Sequence, residues 1–233
     1  MKKRFKLIVF DVDGTLSTGQ HAIPNRVSQK LCDYEASGIK VCLASGKDHY
    51  YLTALSRGMG LKNVWIIAEN GAVFQTNYGK QYLDSSPKIK SELSRFRDQI
   101  KIAFPNIWFQ NNDISITVFF DSSLSSDSIS KFVESHREDY EIEFSCFAHP
   151  DTFDIVPVGT DKSLALQRIK KEMRFSPFEI IVVGDGPNDE KMLFEAQHRL
   201  IVGDGLEWLT DVPRCTSPVE MLDVVDSIIG HLD

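Results

Sequence analysis

The chain has 233 residues, of which 42% are hydrophobic and 25% are charged, so it can bury a core and does not have a disordered composition. Its formal net charge of −7 argues against a nucleic-acid-binding protein with a basic surface. No stretch approaches the ~20 apolar residues of a membrane span, and the apolar run after the basic start is too short for a signal peptide. The four cysteines have no zinc-binding spacing, which favours free thiols in a reducing compartment. These features predict a soluble, cytoplasmic protein.

The first 80 residues alternate apolar runs with helical patterns. Val27, Leu31 and Tyr34 recur at helical spacing after Pro24, and a second helical pattern follows further along. Short, continuously apolar runs of this length are typical of buried parallel strands. They occupy residues 7–10, 41–44 and 64–68. The alternation predicts a parallel α/β sheet.

The pattern changes between residues 81 and 155 and returns near Asp161. The middle segment has the order helix, strand, strand, helix, strand, strand, with period-two alternation around residues 114–120. We therefore predict an α/β fold with a Rossmann-like parallel-sheet core and an inserted small α+β cap domain. The predicted core comprises residues 1–80 and 156–233, and the predicted cap comprises residues 81–155.

The strongest chemical signal is the sequence Asp11-Val12-Asp13-Gly14-Thr15, directly after the first predicted strand. Residues i and i+2 of an extended chain point to the same side. Two carboxylates would therefore share the carboxyl end of a strand, the edge at which open α/β sheets bind ligands. Because like charges at this spacing repel, they need a cation or a shared proton. Alone, the motif could also be a turn that ends a strand.

Three further motifs follow in order. Ser45-Gly46 comes after the second strand, Lys162 begins a helix, and residues 184–189 (Gly-Asp-Gly-Pro-Asn-Asp) follow a buried strand. With the first motif, this set resembles the haloacid dehalogenase-like hydrolases. The insert between the second and third motifs resembles the small cap of the Cof-type group, which includes sugar-phosphate and phosphoglycolate phosphatases.

The resemblance implies a role for each motif. Asp11 would be the nucleophile that forms an aspartyl-phosphate, and Asp13 would be the general acid and base. The resemblance also implies a Mg²⁺ ion, which prefers oxygen ligands. The implied metal-binding residues are Asp11, Asp13 (through its carbonyl), Asp185 and Asp189, although Asp189 could instead lie beside the ligands or simply favour a helix N-terminus. The implied phosphate-binding residues are Ser45, Gly46, Lys162 and Asn188.

Several positions are ambiguous. Lys47 stands where many relatives have arginine, and lysine cannot make the same bidentate contact, so we assign it no role. Asp204 follows a strand in a Gly-Asp-Gly turn but lacks the following Asn-Asp pair, so we interpret it as a turn residue. The segment 110–113 is a weaker candidate for substrate specificity.

The leading hypothesis is a Mg²⁺-dependent phosphatase acting on a small phosphorylated metabolite, either a sugar phosphate or a phosphoglycolate-like compound. A phosphosugar mutase of the phosphomannomutase type is the alternative. A phospho-acceptor signalling domain is a third hypothesis, but such domains lack an acid at the position of Asp13 and have no cap. The sequence leaves the choice between monomer and homodimer open.

Overall fold

The computed structural model describes residues 5–17, 22–149 and 151–230. Its helices and strands, in chain order, are β1 (Leu7–Asp11), α1 (Asn25–Ala36), β2 (Lys40–Ala44), α2 (His49–Gly58), β3 (Trp65–Ala68), β4 (Val73–Thr76), β5 (Gly79–Tyr82), α3 (Pro87–Ala103), β6 (Trp108–Phe109), β7 (Ile116–Phe119), α4 (Ser126–Ser135), β8 (Phe144–Ala148), β9 (Thr152–Pro157), α5 (Lys162–Met173), β10 (Ile180–Gly184), α6 (Glu190–Leu193), β11 (His198–Val202), β12 (Arg214–Cys215) and α7 (Pro218–Gly230).

The larger sheet has the strand order β12-β11-β10-β1-β2-β3-β4-β5 and is parallel from β12 to β3. The central strand β1 is buried along its whole length, and its side chains alternate between two apolar clusters, one on each face of the sheet. A strand covered on both faces needs an unbroken apolar sequence, which explains the run at residues 7–10. The predicted α/β class is confirmed, and we call this sheet and its helices the core.

Strands β4 and β5 form an antiparallel hairpin at the end of the core sheet, beside β3. No pattern in the sequence predicts this hairpin. The sequence of β5, Gly-Lys-Gln-Tyr, is polar and only partly covered, so it carries no apolar pattern that would indicate a strand.

The smaller sheet has the strand order β6-β7-β9-β8 and is antiparallel. Helices α3 and α4 pack with one face of it in a separate apolar cluster that includes Val118 and Ile155. The neighbouring residues Thr117 and Asp154 pair across β7 and β9 and point to the opposite face. We call this layer the cap, and its element order is the predicted one. Because β9 runs through the predicted boundary at residues 155 and 156, the exact domain division stays a prediction.

Among the described residues, no helix combines the length and the apolar character that crossing a membrane requires.

The loop after β3 brings the core into close contact with the start of α5. Its residues Glu69, Asn70 and Gly71 all have positive φ angles, of 52°, 53° and 101°. A Cβ atom on Gly71 would lie 2.1 Å from the carbonyl oxygen of Asp161, the residue that caps α5. The absence of a side chain at this position therefore allows the first turn of α5, which includes Lys162, to approach the sheet edge.

We expect Gly71→Ala to lower the free energy of unfolding by about 3–5 kcal/mol, because a methyl group would add a steric clash to an unfavourable backbone angle. Gly79→Ala is the matched control, since Gly79 has a φ of 90° but open space around its Cβ position. Gly79→Ala should lower the free energy of unfolding by only about 1–2 kcal/mol, because only the unfavourable backbone angle contributes. Urea denaturation of both variants measures the difference, and equal losses would show that the contact with Asp161 is not tight.

Candidate active site

A cleft of ≈ 350 Å³ lies at the carboxyl ends of the core strands, beneath the cap. Most of the residues singled out from the sequence line it. These are Asp11, Asp13, Ser45, Gly46, Asp185 and Asn188. The other two, Lys162 and Asp189, do not line the cleft but lie buried beside Asp11. Residues far apart in sequence thus converge at one sheet edge.

A buried ion-pair network joins Lys162 to two acids. The Lys162 ammonium donates to Asp11 Oδ1 at 2.6 Å and to Asp189 Oδ1 at 2.7 Å. The lysine side chain is only 1% exposed, and the side chain of Asp189 is fully buried. Charges this far from water are stable only when they are paired and hydrogen-bonded, so the three groups fix one another in place.

The acids crowd around a common point, and this changes their ionisation. Burial, and then the nearby charge of Asp189, raise the pKa of Asp11 well above its usual range. The same two causes raise the pKa of Asp185 to about 6. Burial alone would lower the pKa of Lys162, but the charges of Asp11 and Asp189 outweigh it and raise this pKa. The site therefore has more negative charge than the single ammonium balances.

The donor set fits a divalent cation. Asp11, Asp185 and Asp189 offer carboxylate oxygens that all lie within 4.8 Å of one another. Asp11 Oδ2 is buried and has no hydrogen-bond partner among the described residues. A buried carboxylate oxygen of this kind calls for a hydrogen-bond donor or an ion, and an oxygen-only donor set suits Mg²⁺.

Asp189 differs from the other acids because protein donors already occupy both of its oxygens. Its Oδ1 accepts from Lys162, and its Oδ2 accepts from the backbone amides of Asp185 and Gly186 at 3.1 and 3.3 Å. These bonds hold the loop that carries Asp185. The contacts of Asp189 are therefore those of a residue that positions its neighbours.

The absence of a side chain at Gly14 allows the turn that carries the first motif to pack closely against Asp185. A Cβ atom on Gly14 would lie 2.3 Å from Asp185 Oδ2, and the φ of 91° also favours glycine. The hydroxyl of Thr15 donates to Asp185 Oδ1 at 3.3 Å. The turn after β1 thus packs directly against the acid that follows β10.

The turn after β2 presents Ser45 and Gly46 to the cleft. The Ser45 hydroxyl accepts from the backbone amide of Lys47 at 3.1 Å, which leaves its proton for a ligand. The Lys47 ammonium lies 3.8 Å from Asp13 Oδ2 and lines the cleft. Lys47, to which we assigned no role from sequence, is therefore a member of the site.

Other cleft residues were missed because nothing in the sequence links them to a motif. Asn70 and Asp154 line the cleft from the core and the cap, respectively, and bond to each other at 2.9 Å. Thr117 and His149 line it from the cap. Gln110, from the weaker candidate segment 110–113, also lines it. A polar residue within an apolar strand, such as Asp154 in β9, was the one available signal. Asp204 does not line the cleft.

Comparison with known proteins agrees with this geometry. The sequence model of the haloacid dehalogenase-like hydrolases matches residues 8–118 and 91–223, which is most of the chain. The chain belongs to this family. The resemblance inferred from the four motifs is thereby confirmed.

Curated relatives of this hydrolase include a phosphoglycolate phosphatase of Methanoculleus marisnigri, 25% identical over 81% of this chain and 80% of the relative. An HMP-PP phosphatase of Yersinia pestis is 23% identical over 88% of this chain and 86% of the relative. The predicted enzyme class, a phosphoric monoester hydrolase, agrees with these names and with the family and is confirmed.

Solved structures support the fold. A haloacid dehalogenase-like hydrolase from Bacteroides thetaiotaomicron superposes with a TM-score of 0.81 at 18% identity, covering 97% of this chain and all (100%) of the other. A haloacid dehalogenase-like hydrolase from B. subtilis gives a TM-score of 0.68 at 18% identity, covering 95% of this chain and 99% of the other.

The buried network leads to a stability prediction. We expect Lys162→Met to lower the free energy of unfolding by about 3–5 kcal/mol at neutral pH, because it leaves two buried carboxylates without their cation. Lys191→Met is the control, since its ammonium is exposed and pairs with Asp161 at 3.2 Å. Lys191→Met should lower the free energy of unfolding by less than about 1 kcal/mol. Urea denaturation in Mg²⁺-free buffer compares them, and a small loss for Lys162→Met would contradict the importance of the pair.

Proposed function

We propose that the protein is a Mg²⁺-dependent phosphatase that hydrolyses a small phosphomonoester through an aspartyl-phosphate on Asp11. The observation that carries the proposal is the environment of this carboxylate. One Asp11 oxygen is held by Lys162, and the other is buried without a partner among the described residues, beside Asp185. A carboxylate fixed in this way, at the base of a cleft, is suited to attack a phosphorus atom.

In the first step, an Asp11 oxygen forms a bond to phosphorus while the bond from phosphorus to the leaving oxygen breaks. Asp13 donates its proton to that oxygen, and the alcohol departs. In the second step, Asp13 takes a proton from a water molecule whose oxygen attacks phosphorus, which releases phosphate and restores Asp11. The side chain of Asp13 is 33% exposed and lines the cleft, so it can reach both the leaving group and water.

Charge neutralisation on the transferring group comes from several donors. We assign Ser45, Gly46 and Asn188 to its oxygens, because all three line the cleft beside Asp11. Lys162 contributes its charge through the bonded Asp11 oxygen. When bound by Asp11, Asp185 and the Asp13 carbonyl, Mg²⁺ would supply the remaining positive charge that phosphoryl transfer requires.

The substrate class is a small phosphorylated metabolite, either a sugar phosphate or a phosphoglycolate-like compound. The names of the relatives from Methanoculleus marisnigri and Yersinia pestis support phosphatase chemistry. No observation favours the mutase alternative, since these relatives are both phosphatases. The four cysteines are free thiols, which supports the proposed cytoplasmic location.

The roles of Asp11 and Asp13 can be distinguished with p-nitrophenyl phosphate, whose leaving group needs no proton. We expect Asp11→Asn to remove both turnover and phosphoenzyme. Asp13→Asn should slow turnover on the order of 10²–10⁴-fold, the usual contribution of acid–base catalysis. Its phosphoenzyme should still form and then persist, because the attacking water lacks a base. Acid quenching followed by mass spectrometry detects the covalent species.

Asp204→Asn is the control for these variants, because Asp204 is an exposed acid outside the cleft. Its turnover should equal that of the unmodified enzyme. A phosphoenzyme in Asp11→Asn would place the nucleophile elsewhere, and rapid dephosphorylation of Asp13→Asn would remove this residue from the second step.

Metal binding can be tested without measuring activity. At a concentration 100 times its Kd, Mg²⁺ should raise the Tm by about 5–10 °C, because it binds the folded state only. Asp185→Asn should abolish this rise, whereas Asp204→Asn, a change in a similar Gly-Asp-Gly turn, should retain it. Calorimetry measures the Tm of the unmodified protein and of both variants after treatment with EDTA, before and after Mg²⁺ is added in excess. An equal rise in the Tm of all three proteins would exclude Asp185 as a ligand.

A further inference from the structure

The cap side of the cleft has a chemical character of its own. Six residues of the cap line it, and all are polar or charged. They are Gln110, Thr117, His149, Asp151, Thr152 and Asp154. Because these residues lie across from the candidate nucleophile, they would meet the part of the substrate that leaves.

Asp154 is the central member of this group. Its side chain is 8% exposed and lies in the middle of β9, with Oδ1 accepting from the Thr117 hydroxyl at 2.7 Å and Oδ2 accepting from Asn70 at 2.9 Å. A Cβ atom on Gly46 would lie 2.9 Å from Asp154 Oδ2, so the carboxylate sits directly over the turn assigned to phosphate binding. Each carboxylate oxygen has two lone pairs, and these bonds use one each. A hydrogen-bond acceptor is thus held rigidly beside the reacting group.

The neighbours of Asp154 also offer acceptors. The amide nitrogen of Gln110 donates to the Gly46 carbonyl at 3.2 Å and to Asn112 Oδ1 at 2.6 Å, which leaves the carbonyl oxygen of its side chain for a ligand. The Thr117 hydroxyl proton is used by Asp154, and the Asp151 carboxylate is exposed at the rim. A ligand group that donates hydrogen bonds would find partners here.

Positive charge is scarce on this side. His149 is the one cap residue of the described lining that can be cationic, and its Nε2 lies 3.9 Å from Asp154 Oδ2, so any charge it carries faces that acid. Lys47, from the core, has its ammonium 3.8 Å from Asp13 and 5.8 Å from the ring of Phe119 in the cap, so its charge is paired with an acid. Lys162 is buried between Asp11 and Asp189. A substrate carboxylate would meet two cap carboxylates, a juxtaposition that disfavours binding.

We infer that the enzyme acts on phosphomonoesters of polyhydroxy compounds, with Asp154 binding a hydroxyl of the leaving group, and discriminates against carboxylate-bearing substrates such as phosphoglycolate. The inference rests on the proposed phosphatase function and narrows its substrate class. The substrate preference of this chain would then differ from that of its relative named phosphoglycolate phosphatase, with which it shares 25% identity.

The test uses a matched pair of small esters. 2-Hydroxyethyl phosphate and phosphoglycolate differ only in a CH₂OH group against a carboxylate. We expect kcat/KM to favour the hydroxyl compound by about tenfold or more, the usual value of a hydrogen bond to a charged group. Glycerol phosphate and hexose phosphates, with more hydroxyls, should be better still. A preference for phosphoglycolate would overturn the inference.

Variants of the cap residues test which side chains set this preference for the hydroxyl compound. Asp154→Asn should reduce the hydroxyl-to-carboxylate ratio of kcat/KM about tenfold, because it removes the charge and retains the size. Asp127→Asn, on the exposed face of α4 and outside the cleft, should leave the ratio unchanged. Gln110→Lys adds a cation to the cleft without altering the bonds of Asp154, and it should raise kcat/KM for phosphoglycolate. An unchanged ratio in both Asp154→Asn and Gln110→Lys would contradict the proposed role of this surface.

The outcome is distinguishable from failure of the proposed function. If the unmodified enzyme with Mg²⁺ does not hydrolyse p-nitrophenyl phosphate or any ester of the panel, the phosphatase proposal itself fails. If it hydrolyses p-nitrophenyl phosphate but prefers phosphoglycolate, only the inference about the cap fails.

Discussion

The site depends on one buried interaction, the ammonium of Lys162 held between Asp11 and Asp189. It joins the first turn of α5 to the end of β1 and to the loop after β10, three segments that are far apart in sequence. Burying a lysine with two carboxylates is costly unless each charge is satisfied. The hydrogen bonds from the amides of Asp185 and Gly186 to Asp189 meet that requirement on one side. On the other side, Asp11 keeps one oxygen without a partner in the described part of the chain. The network therefore stabilises the fold and leaves one reactive group available.

Much of this arrangement follows from local sequence. The continuous apolar runs predict the parallel strands, and parallel strands bring their carboxyl ends to one edge, so Asp11, Ser45 and Asp185 were expected to meet. Lys162 was expected at the start of a helix, and it is the first residue of α5. The family resemblance and fold class were predicted correctly for the same reason, since each depends on short motifs placed at strand ends.

Features that depend on tertiary contacts could not be predicted. The β4–β5 hairpin lacks an apolar pattern, because its outer strand is only partly covered. The positive φ angles of Glu69 and Asn70 are unusual for residues other than glycine, and only the packed loop requires them. Asp154 is a polar residue within an apolar strand, but nothing in the sequence links it to the motifs, because its neighbours, Asn70 and Thr117, lie 84 and 37 positions away. Direct contact between cap and core is a property of the folded chain.

The contacts between cap and core differ from one side of the interface to the other. Glu69, in the core, accepts from the amides of Asp113 and Ile114 at 2.8 and 2.9 Å and from the Ser115 hydroxyl at 2.9 Å. Burial raises the pKa of Glu69, and these hydrogen bonds oppose the shift by stabilising its charge. Ile114 itself is buried in the core's apolar cluster, so this side is held by a hydrophobic contact as well as by a charge.

At the cleft, by contrast, the two layers are joined by the hydrogen bonds Asn70–Asp154 and Gln110–Gly46. Water can replace hydrogen bonds at little net cost, but it cannot replace the burial of an isoleucine. The contacts of Glu69 and Ile114 thus combine hydrogen bonds with apolar burial, whereas Asn70–Asp154 and Gln110–Gly46 are hydrogen bonds beside the cleft. Substrate groups that bond to Asp154 would compensate for any of these bonds that are lost, which links recognition of the leaving group to the position of the cap over the site.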